Sequence, residues 1–131
     1  MNRMTSMTKM VRAVTTAALI LATMTGAHAQ GKDDVTGNFY LPYCRSFLEK
    51  ALVVPTPMQT MNEGMCAGVV YSIRVVAPFL SPNMRSCPPD ATTLKEAMRV
   101  TISFIERNPQ WLNLQLTVLA TMALRDAWPC P

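Results

Sequence analysis

The spacing of apolar positions along the chain is that of helices. Leu94, Ala97, Met98, Thr101, Phe104 and Ile105 recur at the three- and four-residue intervals of one helix face. Thr93-Leu94-Lys95-Glu96 in front of them predicts a capping box, hydroxyl and carboxylate each satisfying a backbone N–H. Asn108-Pro109 is expected to stop that helix and start the next, with Asn as N-cap and Pro in the first turn. The next helix, expected from Gln110 to about Ala127, has no charge between Arg107 and Arg125, and its polar Asn113, Thr117 and Thr121 fall on one thin line. A helix apolar around most of its girth needs cover on several sides. It is therefore expected to be the central helix, a subunit interface, or both.

Upstream, a helix is expected from Gly37–Asn38 to Val53, with Tyr40, Cys44, Phe47, Leu48, Ala51 and Leu52 inward and Pro42 tolerated in its first turn. Val54-Pro55-Thr56-Pro57 reads as a loop. A second helix is expected from about Thr60 to Val76, with Met61, Met65, Val69, Ile73 and Val76 inward. Met58, Met61 and Met65 could line an adaptable groove, but a buried stripe is the commoner role for such a row. Gly64 and Gly68, four apart, share a face and would admit another backbone closely. Pro78 to Pro89 holds four prolines and is expected to link two helical pairs without regular structure. No strand-like alternation runs for any distance. The fold class is all-α: a small, disulfide-stapled bundle of about four helices in two hairpins.

The N-terminus changes the charge picture. Arg3, Lys9 and Arg12 precede an apolar run from Ala13 to Met24, and Ala27-His28-Ala29 is a small-x-small cleavage site. Residues 1–29 are thus expected to be a secretory signal peptide cut after Ala29, leaving a single domain of residues 30–131; the run is too short for a membrane span of about 20 residues. Losing three basic residues and no acidic ones takes the formal charge from +4 to +1. What remains has no basic stripe interleaved with aromatics, and so no argument for nucleic acid. All four cysteines, Cys44, Cys66, Cys87 and Cys130, lie in the exported part, where an even count reads as two disulfides. Three connectivities are open. An antiparallel hairpin favours Cys87–Cys130, which leaves Cys44–Cys66 to join the first two helices. No C-x-x-C pair supports zinc instead.

Catalytic chemistry finds little to use. The sole histidine, His28, leaves with the signal peptide, which excludes cysteine–histidine and serine–histidine mechanisms in the mature chain. Ser46 and Lys50, four apart, read as a solvated helix face. Asp33-Asp34 sits in a tail, and Glu49, Glu63, Glu96 and Glu106 are scattered. No glycine-rich phosphate cradle and no cofactor motif is present. The chain reads as a non-enzyme. The candidates for contacting a partner are Lys95, Arg99, Glu106 and Arg107 on the third helix, together with Trp111. Core packing is the commoner role for both Trp111 and Trp128, although tryptophans also anchor interfaces.

Four signatures follow one another at family spacing: Cys66-Ala67-Gly68-Val69-Val70; Cys87-Pro88 before Thr93-Leu94-Lys95-Glu96; Asn108-Pro109; and Ala123-Leu124-Arg125-Asp126-Ala127-Trp128-Pro129-Cys130. Over roughly 37–131 the chain resembles the Rap/Tai-type immunity proteins, which protect bacteria from peptidoglycan amidases delivered by the type VI secretion system. The last signature is the most specific, with Trp128 where phenylalanine is more usual. The resemblance implies a periplasmic, homodimeric helical domain that blocks an effector amidase by filling its active-site cleft with residues of the last two helices. A different class competes: a small periplasmic chaperone of the acid-resistance type. Such a protein needs groups that protonate on acidification, and without histidine it has only its eight carboxylates. A fold relative with no toxin partner is the third reading.

Overall fold

Threonines open the first three helices. Thr36 accepts a hydrogen bond from the Phe39 N–H at 3.4 Å and starts α1 (Gly37–Leu48). Thr56 does the same for the Gln59 N–H at 3.2 Å and starts α2 (Pro57–Val76). Thr93 completes the expected capping box at the head of α3 (Leu94–Arg107): the Glu96 N–H donates to its hydroxyl, and its own N–H donates to the Glu96 carboxylate at 2.7 Å. Each such hydroxyl satisfies one of the orphan donors of a first turn, worth about 1 kcal/mol. The computed structural model describes residues 35–49 and 54–131, all within the unit Lys32–Pro131. The expected signal peptide, Asp33-Asp34, Lys50 and the Ala51–Leu52 end of the first inward stripe lie outside the described residues.

The fourth helix differs from its expectation. The segment from Gln110 to Ala127 is not one helix: a single 3-10 turn, Pro109–Trp111, is followed by an irregular link, and α4 runs only from Leu116 to Ala127. The reason lies in the start of α1. The Gly37 N–H donates to the Leu114 carbonyl at 2.9 Å and the Asn38 N–H to the Leu112 carbonyl at 2.8 Å, while the Leu116 N–H donates to the Val35 carbonyl at 2.8 Å. Orphan donors at two helix heads are thus satisfied reciprocally by tertiary contact, and α4 has no side-chain cap. Asn108 does not cap the next helix as expected. Its amide donates to the Phe104 carbonyl at 2.8 Å and closes the end of α3.

Around the bundle the helices follow one another as α1, α2, α4 and α3, with α1 and α4 touching least and α2 and α3 each packed on all three others. The last helix, which barely meets α1, is therefore not the central one. The core is Cys44 from α1, Cys66 and Val70 from α2, Met98 and Ile105 from α3, and Leu116, Leu119, Ala120 and Leu124 from α4, all at most 2% exposed. Cys44–Cys66 ties α1 to α2 inside this core, and Cys87–Cys130 ties the segment before α3 to the end of α4. These are the two pairs that the hairpin geometry favours. At Gly37 close approach demands glycine: a Cβ there would lie 2.3 Å from Leu119 Cδ1 and 3.3 Å from the Leu112 carbonyl.

Candidate functional site

The bundle presents two unlike sides. On the α1–α3 side, the residues of α3 that face outward are Lys95, Glu96, Arg99, Ser103, Glu106 and Arg107. Glu106 accepts from Arg45 of α1 at 2.7 and 2.8 Å, with both side chains nearly half exposed. Arg107 reaches toward Asp126 of α4 at 3.9 Å, so ion pairs link α3 to α1 and to α4. Exposed pairs of this kind contribute about 0.2–1 kcal/mol and yield readily to a competing partner. The Thr93 N–H and hydroxyl, and then the nearby Arg99, hold the Glu96 carboxyl below its ordinary value. Lys95 has no ion pair among the described residues.

At the far end of α3, Trp111 stacks on Phe104 with ring centroids 5.7 Å apart and planes inclined by 27°. Its ring is half-buried against the core. Trp128 is likewise half-buried and closes a groove of about 430 Å³ with Pro89, Ala91, Thr92, Glu96, Arg99 and Val100. Its carbonyl accepts from the Cys87 N–H at 2.8 Å beside the second disulfide. Four candidates thus share the outward half of one helix and Trp111 lies just beyond its end. What they form is a charged, hydrogen-bonding surface. No group of three or more His, Cys, Asp or Glu that could hold a metal occurs among the described residues, and no described helix is long and apolar enough to cross a membrane.

The α2–α4 side departs from the buried stripe expected of α2. Met58, Met61 and Met65, expected inside, are all more than half exposed, and Val76 is also exposed. The buried row of α2 is instead Asn62, Cys66, Ala67, Val70 and Ile73. At about 100° per residue, Met61 lies about 140° around the helix from Cys66, so a helix bonded to Cys44 must turn Met61 outward. The cysteine was the signal that could have fixed this phase. The only charged residues of α2, Glu63 and Arg74, sit half-buried on its flanks. Glu63 accepts from the Ser46 hydroxyl at 2.6 Å, and Arg74 donates to the Thr92 carbonyl. Two grooves share Thr117, the first between α2 and α4 and the second between α4 and Met84 of the link that precedes α3. One, of about 320 Å³, is lined by Gly64, Met65, Gly68, Val69, Ser72 and Ile73. The other, of about 370 Å³, is lined by Met84, Val118, Thr121, Met122 and Arg125.

Residues 27–130 match the family described as Rap1a immunity proteins. The chain belongs to this family. Neither a curated protein nor a solved structure matches it. Membership suits what the two sides display, because an immunity protein works by covering another protein and needs a binding surface more than a reaction centre. Two exposed faces stand out on the bundle, one charged and one apolar.

Proposed function

We propose that the chain is a periplasmic immunity protein, exported by residues 1–29 and folded over 30–131, that binds and inhibits a peptidoglycan amidase effector of the type VI secretion system without catalysing a reaction itself. The observation that carries this reading is the family match across 27–130. The recognition surface we assign is the outward face of α3 with Lys95, Arg99, Glu106 and Arg107, extended by Trp111. Discrimination between toxins rests on charge and hydrogen-bond complementarity, which steers encounter and rejects wrong partners. This is the side of the bundle that supplies both. Trp111 adds a flat ring already held in place by Phe104, so little side-chain freedom is lost when a partner covers it.

The test is protection. Cells that export an amidase encoded beside this chain are expected to survive when the chain is co-exported and to lyse without it. A Lys95→Glu, Arg99→Glu, Arg107→Glu triple variant is expected to fold and yet fail to protect. Lysis in the presence of well-exported wild-type protein would end the reading.

A further inference from the structure

We propose that Met58, Met61 and Met65 on the outer face of α2 form a site for one soft monovalent cation, Cu(I) or Ag(I), held by thioether sulfurs and centred on Met61. The inference does not depend on the effector reading. The three residues are 62%, 55% and 51% exposed, and the second and third stand three and seven positions beyond the first in one helix. At about 100° per residue they lie within about 60° of one another around the axis. Neighbours three or four apart on a helix have Cβ atoms about 5–6 Å apart. Across that gap two unbranched, freely rotating methionine side chains can bring their sulfurs onto a common ion. Met61 is three residues from Met58 and four from Met65, so it belongs to both pairs. Helical side chains lean toward the N-terminus, which carries Met65 toward Met61 and Met61 toward Met58.

The surroundings leave these sulfurs free. Gly64 and Gly68 stand three residues beyond Met61 and Met65, and even a Cβ added there would meet no atom within 4 Å. The two charged residues of α2, Glu63 and Arg74, are half-buried and engaged with Ser46 and Thr92, so no outward cation of this helix repels an ion on the stripe. The donor set then decides which ion fits. All four cysteines are paired, and no histidine follows His28. Zinc and Cu(II) thus lack the thiolate and imidazole ligands that suit them, whereas a thioether is a soft donor that selects Cu(I). Ag(I) shares its charge and its softness. The outer face of α2 farther along carries Tyr71, Val75 and Val76, which offer no sulfur, so the donors are gathered in the first half of the helix. Metal sites built on cysteine or histidine weaken in acid because their ligands must lose a proton. A thioether has none to lose, and binding here is expected to be the same at about pH 5 as at about pH 7.

The test is titration of the full chain, both disulfides formed and no reductant present, with silver nitrate in chloride-free buffer. Native mass spectrometry is expected to show one Ag(I) per chain. In methyl-labelled methionine spectra the signals of Met58, Met61 and Met65 are expected to move, those of Met84 and the buried Met98 to stay, and zinc to shift none of them. Met61→Leu, close to methionine in volume, is expected to weaken Ag(I) binding by about tenfold or more, with helix content and both disulfides unchanged. Met58→Leu and Met65→Leu should each weaken it less, and Met84→Leu not at all. A chain that takes up no Ag(I) at about 100 µM would overturn the inference, as would equal losses in Met61→Leu and Met84→Leu, or an affinity that collapses in mild acid. None of these results touches protection against an effector, which is read from survival.

Discussion

On the α1–α3 side, α3 keeps Ala97, Met98, Thr101, Ile102, Phe104 and Ile105 inside and turns Lys95, Glu96, Arg99, Glu106 and Arg107 to water. On the α2–α4 side, α2 also keeps a buried row, yet its outer row is methionine, tyrosine and valine. Hydrophobic burial drives both helices onto the same core, at about 25 cal/mol per Å², so the inner rows look alike. The outer rows respond to a different requirement. One side of the molecule turns charge to solvent, and the other leaves an apolar row bare. The comparison teaches that the inner face of a helix can be read from its pattern only where the outer face is polar.

Cutting the staple that holds α1 against α2 is the most severe way to disturb both sides at once. Cys44→Ala with Cys66→Ala is expected to lower stability by about 3 kcal/mol from chain entropy, and more from the cavity left in a site with no exposure. Denaturant melts would measure it. Cys87 is exposed whereas Cys44 and Cys66 are not, so a mild thiol should open Cys87–Cys130 first, as alkylation and mass spectrometry would show.

The glycines sharpen the comparison further, because they should respond with opposite signs. Gly37→Ala forces a contact with Leu119 and is expected to destabilise by about 1–3 kcal/mol. Gly64→Ala adds a side chain into open space and should stabilise the fold by up to about 1 kcal/mol through helix propensity. Destabilisation by Gly64→Ala in dilute solution would mean that α2 is packed more tightly than the structure has it.

Effects confined to the charged side should be smaller. Thr93→Ala removes the cap of α3 and is expected to lower stability by about 1 kcal/mol. Glu96 adds a pH signature. Its carboxyl is held below the ordinary value of 4.5 by the Thr93 N–H, the Thr93 hydroxyl and Arg99, so folding favours the charged form. That contribution is complete above the unfolded pKa and is lost as pH falls through the folded one. The stability difference between wild type and Glu96→Gln should therefore shrink on acidification below about 4.5; a difference that grew instead would refute the capping geometry. Smallest of all, Arg45→Ala is expected to change stability by about 0.2–1 kcal/mol and less in high salt.

The all-α class, the capping box at Thr93 and Glu96, and the closure of the last hairpin by Cys87 and Cys130 were legible because each is a local rule or follows from chain reversal. The exposure of Lys95, Arg99, Glu106 and Arg107 was legible too, since they fall on the polar half of a clean amphipathic pattern. Met58, Met61 and Met65 were misplaced because a helix apolar on both faces gives no phase, and the phase came from Cys66 bonding to Cys44. The break at Leu112–Gln115 was invisible for another reason. It is imposed by the N–H groups of Gly37 and Asn38, whose partners lie more than 70 residues away in sequence.

Alone, the sequence determined the all-α class, the capping box of α3 and which residues face water on that helix, since these depend on neighbours within a turn or two. Only the tertiary structure decided which helices pack on all the others, where the last helix begins and which face of α2 is left bare. Those outcomes depend on how separate elements share donors and core volume, and no local pattern of residues encodes that.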